Sequence, residues 1–398
     1  MIFKEHTLYV ISLIAIILSF WHQLDFSLFF NGAIYCFLWF ILLIVTTKMH
    51  INHKHILFFL LFLIFAIFYL LRGGTYTNLS DVKYLFLLFV YFIVPPLMYK
   101  YYINFCSRVM IAVSVSVFWV IVIYTLYRTY PVSTDNPYII RMAASNEQLN
   151  SSLTALGVMN YGLPHALSFI VPGLVVGFKM LKSKYMRLIC LLFIAIVFIM
   201  IYFSGSTTAM ILSIGGLMLS FFFSGKETNS GLLIKVLAVV LFLFIVSETN
   251  LLGTLFNLSQ GITADTAFQE KIDDFESASG DTQFTGRSSL FMKSFDVFLH
   301  NPFWGSVDGE VGGHNYFIDM LASVGIVGFI PLCIYIYLII KDIYFSLSKK
   351  TRFYYLVGAI LFIMMGFMKN IWGMESFLMA FFLLPVSIHL IAAYNTNH

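Results

Sequence analysis

The stretch "GGHNYFIDMLASVGIVGF", residues 312–329, passes from a polar segment with two glycines into a long apolar run. His314 and Asn315 follow the glycines directly, and the apolar residues continue to residue 340. A helix needs roughly 20 mainly apolar residues to cross the hydrocarbon core of a membrane. The stretch therefore predicts a membrane-spanning helix over 315–340, with a titratable side chain at its start.

The composition of the whole chain also points to a membrane. Of its 398 residues, 60% are hydrophobic and only 11% are charged, and the mean hydropathy is +0.90. Soluble proteins carry roughly 25% charged residues, so lipid must cover much of this surface. We expect an all-α, polytopic integral membrane protein with about twelve transmembrane helices. The apolar runs are 7–21, 26–46, 55–71, 82–99, 106–127, 156–178, 187–204, 206–223, 232–249, 315–340, 353–370 and 375–394.

The distribution of lysine and arginine predicts the orientation of these helices, because cytoplasmic loops carry an excess of both. With the N-terminus in the cytoplasm, the opposite face keeps a minority of the 23 Lys and Arg residues: Arg72, Lys83, Arg128, Arg141, Lys271, Arg287, Lys293 and Lys369. Both termini are therefore predicted to be cytoplasmic. We expect a single membrane domain over 1–398, with outer loops at 128–155 and 250–314. The second is a large extracytoplasmic loop that contains short helices.

The end of this large loop contains a predicted amphipathic helix. In "TGRSSLFMKSFDVFLHNPFWG", residues 285–305, apolar side chains recur at helical spacing. They are Leu290, Phe291, Phe295, Phe298 and Leu299. Asn301-Pro302 is a stop signal for this helix. Such a helix lies in the interface plane or packs under the loop.

The starts of the two predicted helices have the character of an anion site. Helix N-termini present unpaired N–H groups and a partial positive charge, and Arg287 adds a cation to the first of them. The same field disfavours protonation of His314, so this side chain suits a general base. Asn315 and Asp319 share a face of the span, and ionisable groups inside spans are usually functional, so we expect both to bind a diphosphate or another part of the substrate. Taken singly, His314 also fits an interfacial helix cap, and Arg287 fits a lipid-headgroup anchor.

The order and spacing of these motifs resemble those of the O-antigen polymerase and O-antigen ligase superfamily. The matching motifs are Gly286-Arg287, Asn301-Pro302-Phe303-Trp304-Gly305, His314-Asn315 and Gly325-Ile326-Val327-Gly328. The resemblance implies a metal-independent glycosyltransferase without a cofactor. Its substrates would be undecaprenyl-diphosphate-linked glycans at the outer face of the cytoplasmic (inner) membrane. It also implies that Arg287 handles the diphosphate and that His314 activates the acceptor hydroxyl.

One motif departs from the family pattern. Members often carry an arginine after a small polar pair at the start of a middle helix, whereas "FSGSTTAM", residues 203–210, has Thr207 there. We therefore expect Arg141 or Arg72 to supply a second cation for the diphosphate. Ligases rely more on the missing arginine, so its absence favours a polymerase of O-antigen or capsular repeat units. A chain-length regulator is an expected partner, and nucleic acid is not.

Two other functions remain open at this point. One is an O-antigen ligase, which would transfer the finished glycan to lipid A-core. The other is a transporter, such as a flippase for lipid-linked oligosaccharides. A carrier should show polar residues in the middle of several spans, where this chain offers mainly His165 and His389. The nearest carboxylate pair in the large loop, Asp308 and Glu310, is expected to be loop and not a metal site.

Overall fold

The computed structural model is helical, with no strand, throughout the part of the chain that it describes. The described residues are 53–72, 79–136, 139–143, 146–222, 284–306, 311–313, 315–369 and 374–396, together with residues 10 and 13. The helices are α1 (His53–Arg72), α2 (Leu79–Phe105), α3 (Arg108–Asp135), α4 (Ile139–Ala143), α5 (Glu147–Ala155), α6 (Leu163–Ser168), α7 (Val171–Met180), α8 (Lys184–Ser204), α9 (Thr207–Phe222), α10 (Phe284–His300), α11 (Tyr316–Ser346), α12 (Arg352–Met368), α13 (Met374–Leu378) and α14 (Leu384–Thr396). A buried π-helical turn, Met379–Leu383, joins the last two.

In the described part, 5 helical stretches are long and apolar enough to cross a membrane. They are Arg108–Asp135, Leu163–Met180, Lys184–Ser204, Tyr316–Ser346 and Glu375–Tyr394. Shorter apolar helices accompany them at Phe59–Tyr69, Thr207–Phe222 and Arg352–Met368. The described part is therefore that of an all-α membrane protein. The count of about twelve spans is not confirmed, and the predicted runs 7–21, 26–46 and 232–249 lie outside the described residues.

Two helix boundaries around the first outer loop differ from the ends of the predicted apolar runs. The run 156–178 becomes helical only at Leu163. The Leu163 N–H donates a hydrogen bond to Asn160 Oδ1 (2.8 Å), and this bond fixes the start of the helix. The loop predicted from residue 128 begins later, since α3 continues through Pro131 to Asp135. Near its end, α3 packs against α8 through an edge contact between the Tyr130 and Phe203 rings, whose centroids are 6.0 Å apart.

The predicted amphipathic helix is confirmed as α10, which ends at His300 just before the Asn301-Pro302 stop signal. The span predicted over 315–340 differs more, because α11 breaks at Gly325 (φ 65°, ψ −178°). Residues twelve apart on a continuous helix are separated by about 18 Å along its axis. The Phe317 and Phe329 rings nevertheless contact each other, with centroids 6.3 Å apart. The two halves of α11 therefore bend towards each other at Gly325.

The turn that follows α10, residues 301–306, fits into this break. Three backbone hydrogen bonds join the two: Ile326 N–H to the Pro302 carbonyl (2.9 Å), Val327 N–H to the Phe303 carbonyl (3.2 Å) and Ser306 N–H to the Ala322 carbonyl (3.1 Å). A helix break leaves backbone donors and acceptors that must be satisfied elsewhere when they are buried. The turn satisfies them, and it holds α10 alongside the first half of α11.

Gly305 and Gly325 make this contact possible, because each has positive φ (75° and 65°) and touches the other's backbone. A Cβ on Gly305 would lie 2.2 Å from the Ser323 carbonyl oxygen. A Cβ on Gly325 would lie 2.4 Å from the Phe303 carbonyl oxygen. The two glycine motifs of the sequence are thus the two sides of one backbone contact.

Helix α1 packs along α11 and closes the same region from another side. The Trp304 ring stacks on Phe68 of α1, with centroids 5.8 Å apart and planes inclined by 16°. Gly328 lets α1 approach, since a Cβ there would lie 2.8 Å from the Phe68 Cβ. The 301–306 turn is therefore held between α11 and α1.

We predict that Gly305→Ala and Gly325→Ala each lower the thermal midpoint of the detergent-solubilised protein by more than Gly313→Ala does. Strained φ/ψ positions cost roughly 1–3 kcal/mol each. Gly313 also has positive φ (75°), but a Cβ added there would meet no atom within 4 Å. Gly313→Ala therefore measures the cost of the positive φ without a steric clash. Gly162→Ala, at negative φ with room for a methyl group, serves as a neutral control. Equal losses at all three strained glycines would contradict the close backbone contact.

Candidate functional site

The second turn of α10 lies against the segment that precedes α11. The carbonyl oxygen of Leu290 is so close to Gly312 that a Cβ on this glycine would lie 2.2 Å from it. Arg287 is on α10, one turn before Leu290. His314 follows Gly313 in the chain and lies outside the described residues. The described backbone thus places the turn of α10 that follows Arg287 beside the residues that precede His314.

A buried carboxylate fixes this segment. Asp319, on the first turn of α11, has only 6% of its surface exposed. Its Oδ1 accepts a hydrogen bond from the Ser294 hydroxyl of α10 (2.5 Å), and its Oδ2 accepts one from Asn315 N–H (3.0 Å). The Ser294 oxygen in turn accepts from Gly312 N–H (2.8 Å). We call these four residues, Ser294, Gly312, Asn315 and Asp319, the Asp319 network.

The Asp319 network holds the chain on both sides of His314. Gly312 is tied to α10 through Ser294, and Asn315 is tied to α11 through Asp319. Hydrogen bonds that involve an ionised group are stronger than neutral ones, so a carboxylate suits this role. Asn315 is the N-cap residue of α11, and its side chain makes no capping bond to the helix. Sequence reasoning selected Asn315 and Asp319 and missed Ser294, which the 3.6-residue pattern marks only as a polar position on α10.

A second polar cluster lies next to the same segment. The carbonyl oxygen of Lys369, at the end of α12, accepts a hydrogen bond from Tyr316 N–H (3.3 Å). The Lys369 ammonium donates to the Tyr161 hydroxyl (2.8 Å) and lies 4.1 Å from the centre of the Tyr161 ring. Tyr316 is the second residue after His314 in the sequence.

The turn that carries Tyr161 is itself held on two sides. The His165 ring places Nδ1 2.8 Å from the Tyr161 carbonyl oxygen and Nε2 2.7 Å from the Ser206 hydroxyl oxygen. A carbonyl oxygen only accepts, so Nδ1 carries a proton, and in the neutral imidazole Nε2 then accepts from the Ser206 hydroxyl. On the other side, Asn160 Nδ2 donates to Glu375 Oε1 (3.2 Å). We call these six residues, Asn160, Tyr161, His165, Ser206, Lys369 and Glu375, the Tyr161 cluster.

The remaining predicted residues lie on other helices. Arg141 is half-buried on α4, a short helix that packs against α3, α5 and α8. Arg72 is the last residue of α1, the helix that packs along α11. His165 is a buried, hydrogen-bonded histidine that joins α6 to the start of α9. Among the residues that the structure describes, no three His, Cys, Asp or Glu side chains are grouped as metal ligands would be.

The fold and this site define a helical membrane protein with a polar, hydrogen-bonded site at the start of a broken helix. Residues 190–310 match the family described as O-antigen ligase. The matched segment is less than a third of the chain, and it includes the 301–306 turn and the turn of α10 that carries Arg287. The match confirms the resemblance to the O-antigen polymerase and ligase superfamily. No curated protein matches the chain.

We predict that Ser294→Ala increases hydrogen exchange of the amides at residues 311–316. The substitution leaves Gly312 N–H without its acceptor and Asp319 Oδ1 without the Ser294 donor, and a buried unsatisfied polar group costs about 1–3 kcal/mol. Ser323→Ala is the matched control, because its hydroxyl bonds the backbone carbonyl of Asp319 (2.8 Å) and not the carboxylate. Similar exchange in the wild type and Ser294→Ala would show that the Asp319 network does not hold this segment.

Proposed function

We propose that this protein joins undecaprenyl-diphosphate-linked oligosaccharide repeat units into O-antigen or capsular polysaccharide. The reaction would take place at the outer face of the cytoplasmic membrane, with both termini in the cytoplasm. The observation that carries the proposal is the contact between α10, which bears Arg287, and the segment on either side of His314, held by the Asp319 network. The family match supports a glycosyltransferase that acts on lipid-linked glycans.

The proposed chemistry is a glycosyl transfer. The hydroxyl oxygen of the acceptor sugar attacks the anomeric carbon of the donor sugar, and the bond from that carbon to the diphosphate oxygen breaks. The undecaprenyl diphosphate leaves with the bonding electrons, and His314 takes the proton of the attacking hydroxyl. In a polymerase the donor carries the growing glycan, and the acceptor is the terminal sugar of a fresh lipid-linked unit. Neither a metal nor a cofactor enters this step.

The remaining site residues have supporting roles in this proposal. Arg287 and the N-terminus of α10 stabilise charge on the departing diphosphate, and Arg141 or Arg72 adds a second cation from another loop. Asn315 contacts the substrate from the start of α11. Asp319, whose two carboxylate oxygens are engaged by Ser294 and Asn315, contributes by holding the segment around His314 in place.

The proposal treats residues 1–398 as one membrane domain in which 250–314 is a large outer loop. The match begins at residue 190, in α8, and ends within that loop at residue 310. Both parts of the site would then face the outer surface, where lipid-linked repeat units and a chain-length regulator could reach them.

An O-antigen ligase is the second candidate, and the description of the matching family favours it. The start of α9 supports the polymerase instead. Thr207 occupies the place where the family often has arginine, and the preceding Ser206 is buried and bonded to His165. This helix start therefore contributes no cation of its own to a diphosphate site.

Glycan profiles of a strain that lacks this gene test the proposal. Complementation with the wild type should restore long chains, whereas His314→Ala and Arg287→Ala should leave single repeat units on the carrier or the core. A missing general base lowers the rate by roughly 10²–10⁴-fold, so chain elongation should fail. Lys293→Ala, an exposed cation on the same helix as Arg287, is the matched control and should restore long chains.

Two other profiles would contradict the proposal in different ways. Full-length chains that remain on undecaprenyl diphosphate in the strain without the gene would identify a ligase. Long chains in both the His314→Ala and Arg287→Ala strains would show that the site has been assigned to the wrong residues.

A further inference from the structure

Helices α3 and α8, which are both long and apolar enough to cross a membrane, are joined by two ring contacts. The Trp119 and Phe193 rings stack with centroids 3.9 Å apart and with their planes inclined by 2°. Further along both helices, the Tyr130 and Phe203 rings meet edge to face, with centroids 6.0 Å apart. Trp119 and Tyr130 are separated by about 16 Å along the axis of α3, at 1.5 Å per residue. The two contacts therefore fix the separation of α3 and α8 over this length.

A groove of about 780 Å³ lies between these two helices, and the 156–158 segment forms its floor. We call it the α3–α8 groove. Packed protein interiors contain few voids that are larger than a water molecule. Pockets that bind small molecules, in contrast, have volumes of about 300–1,000 Å³. The α3–α8 groove has the size of a ligand site and not that of a packing defect.

The wall of the α3–α8 groove is mainly apolar and opens away from the protein. Of the side chains that line it, only Tyr127, Arg128 and Tyr130 carry polar atoms. Tyr127 is 73% exposed and Ile199, on the facing helix, is 43% exposed, so the groove is open to the surroundings of the two helices. The core of a bilayer contains no water, so a hydrocarbon chain must fill a groove between two membrane spans.

The floor of the α3–α8 groove is fixed to α3 by two hydrogen bonds. Arg128 Nε–H donates to the Leu156 carbonyl (2.9 Å), and Met159 N–H donates to the Thr129 hydroxyl oxygen (3.0 Å). Leu156 and Val158, which line the groove, are held in place by these bonds. The groove is therefore formed before a ligand enters, and a preformed site loses less conformational entropy on binding.

The segment that forms this floor also leads into the Tyr161 cluster. Tyr161 follows it in the chain and accepts a hydrogen bond from the Lys369 ammonium. The Lys369 carbonyl in turn accepts from Tyr316 N–H at the start of α11. Successive contacts thus connect the floor of the α3–α8 groove to the first turn of α11. This continuity favours the substrate of the protein, and not bulk lipid, as the occupant of the groove.

The shape of the wall favours a branched chain. β-Branched side chains, among them Ile123 and Val132, stand beside the rings of Tyr127 and Phe203 and make the wall uneven. A polyprenyl chain carries a methyl branch on every isoprene unit, whereas the acyl chains of most phospholipids are unbranched. Branches that fit the recesses of an uneven wall gain van der Waals contact. Within a membrane such packing, and not removal from water, distinguishes one chain from another.

We propose that the α3–α8 groove binds the polyprenyl chain of the lipid-linked substrate. This inference rests on the proposed function, to which it adds the place of the lipid part of the substrate. In the orientation of the proposed function, the ends of α3 and α8 face the outer surface. The chain then lies in the outer half of the membrane, with its diphosphate directed towards the outer loops.

Photocrosslinking of the purified full chain tests this assignment. p-Benzoylphenylalanine replaces Tyr127, and the protein is placed in nanodiscs of phosphatidylcholine and phosphatidylglycerol that contain a small fraction of undecaprenyl diphosphate. The adducts at residue 127 should contain undecaprenyl diphosphate about tenfold more often than its share of the lipid, which corresponds to a modest packing preference. The same replacement of Tyr337, a 59% exposed tyrosine on α11, is the matched control, and its adducts should follow the lipid composition.

A bulky side chain inside the groove should remove this enrichment. Ile199→Trp places an indole in the α3–α8 groove, so the enrichment at residue 127 should be lost. Leu192→Trp is the matched control, because Leu192 is exposed two turns earlier on α8 and does not line the groove. Enrichment that survives Ile199→Trp, or that is lost equally in Leu192→Trp, would overturn the assignment.

Other lipids separate recognition of the chain from recognition of the headgroup. Undecaprenol has the same chain without a phosphate, and it should also be enriched at residue 127. Enrichment of undecaprenyl diphosphate without undecaprenol would show that the headgroup decides the occupant, and would overturn the assignment. Equal enrichment of phosphatidylglycerol would show that an acyl chain fits as well, and would also overturn it.

The failure of this inference can be distinguished from that of the proposed function. A chain that extends lipid-linked repeat units but shows no enrichment at residue 127 would overturn the assignment of the groove and leave the proposed function standing. A chain that shows the enrichment but does not extend the repeat units would overturn the proposed function and leave the polyprenyl site standing.

Discussion

Where α11 breaks at Gly325, the backbone groups that a continuous helix would pair internally must find other partners, and lipid provides none. The turn after α10 provides them through hydrogen bonds from and to its own backbone. Because Gly305 and Gly325 have no side chains, the backbone of the turn packs directly against the backbone of α11 at the break. This contact fixes the end of α10 relative to α11, and the rest of the site depends on that register.

Once this register is set, the start of α11 becomes the meeting point of three helices. Ser294 of α10 reaches Asp319, and Lys369 at the end of α12 accepts from Tyr316 N–H. Each bond is local and modest, yet together they hold the residues on both sides of His314. A flexible loop would lose the orientation that a general base needs towards an acceptor hydroxyl. The fold thus holds Gly312 and Asn315, the described residues that precede and follow His314 in the chain.

The sequence predicts the local features of this fold well and its long-range contacts poorly. The five described stretches that are long enough to cross a membrane and α10 follow from the hydrophobic pattern, and the end of α10 follows from Asn301-Pro302. The break in α11 does not follow, because a glycine inside an apolar run is common in membrane helices and its partner turn is about twenty residues away. Lys369 and Tyr161 are 208 residues apart, so no spacing rule could join them.

Reconstitution of the purified chain with undecaprenyl-diphosphate-linked repeat units as the sole glycan substrate tests the central claim most directly. We predict a ladder of glycans that grows by one repeat unit per step, with release of undecaprenyl diphosphate, in the presence of a chelator and in the absence of lipid A-core. Transfer that occurs only after lipid A-core is added, with no ladder on the carrier, would contradict the account and identify a ligase.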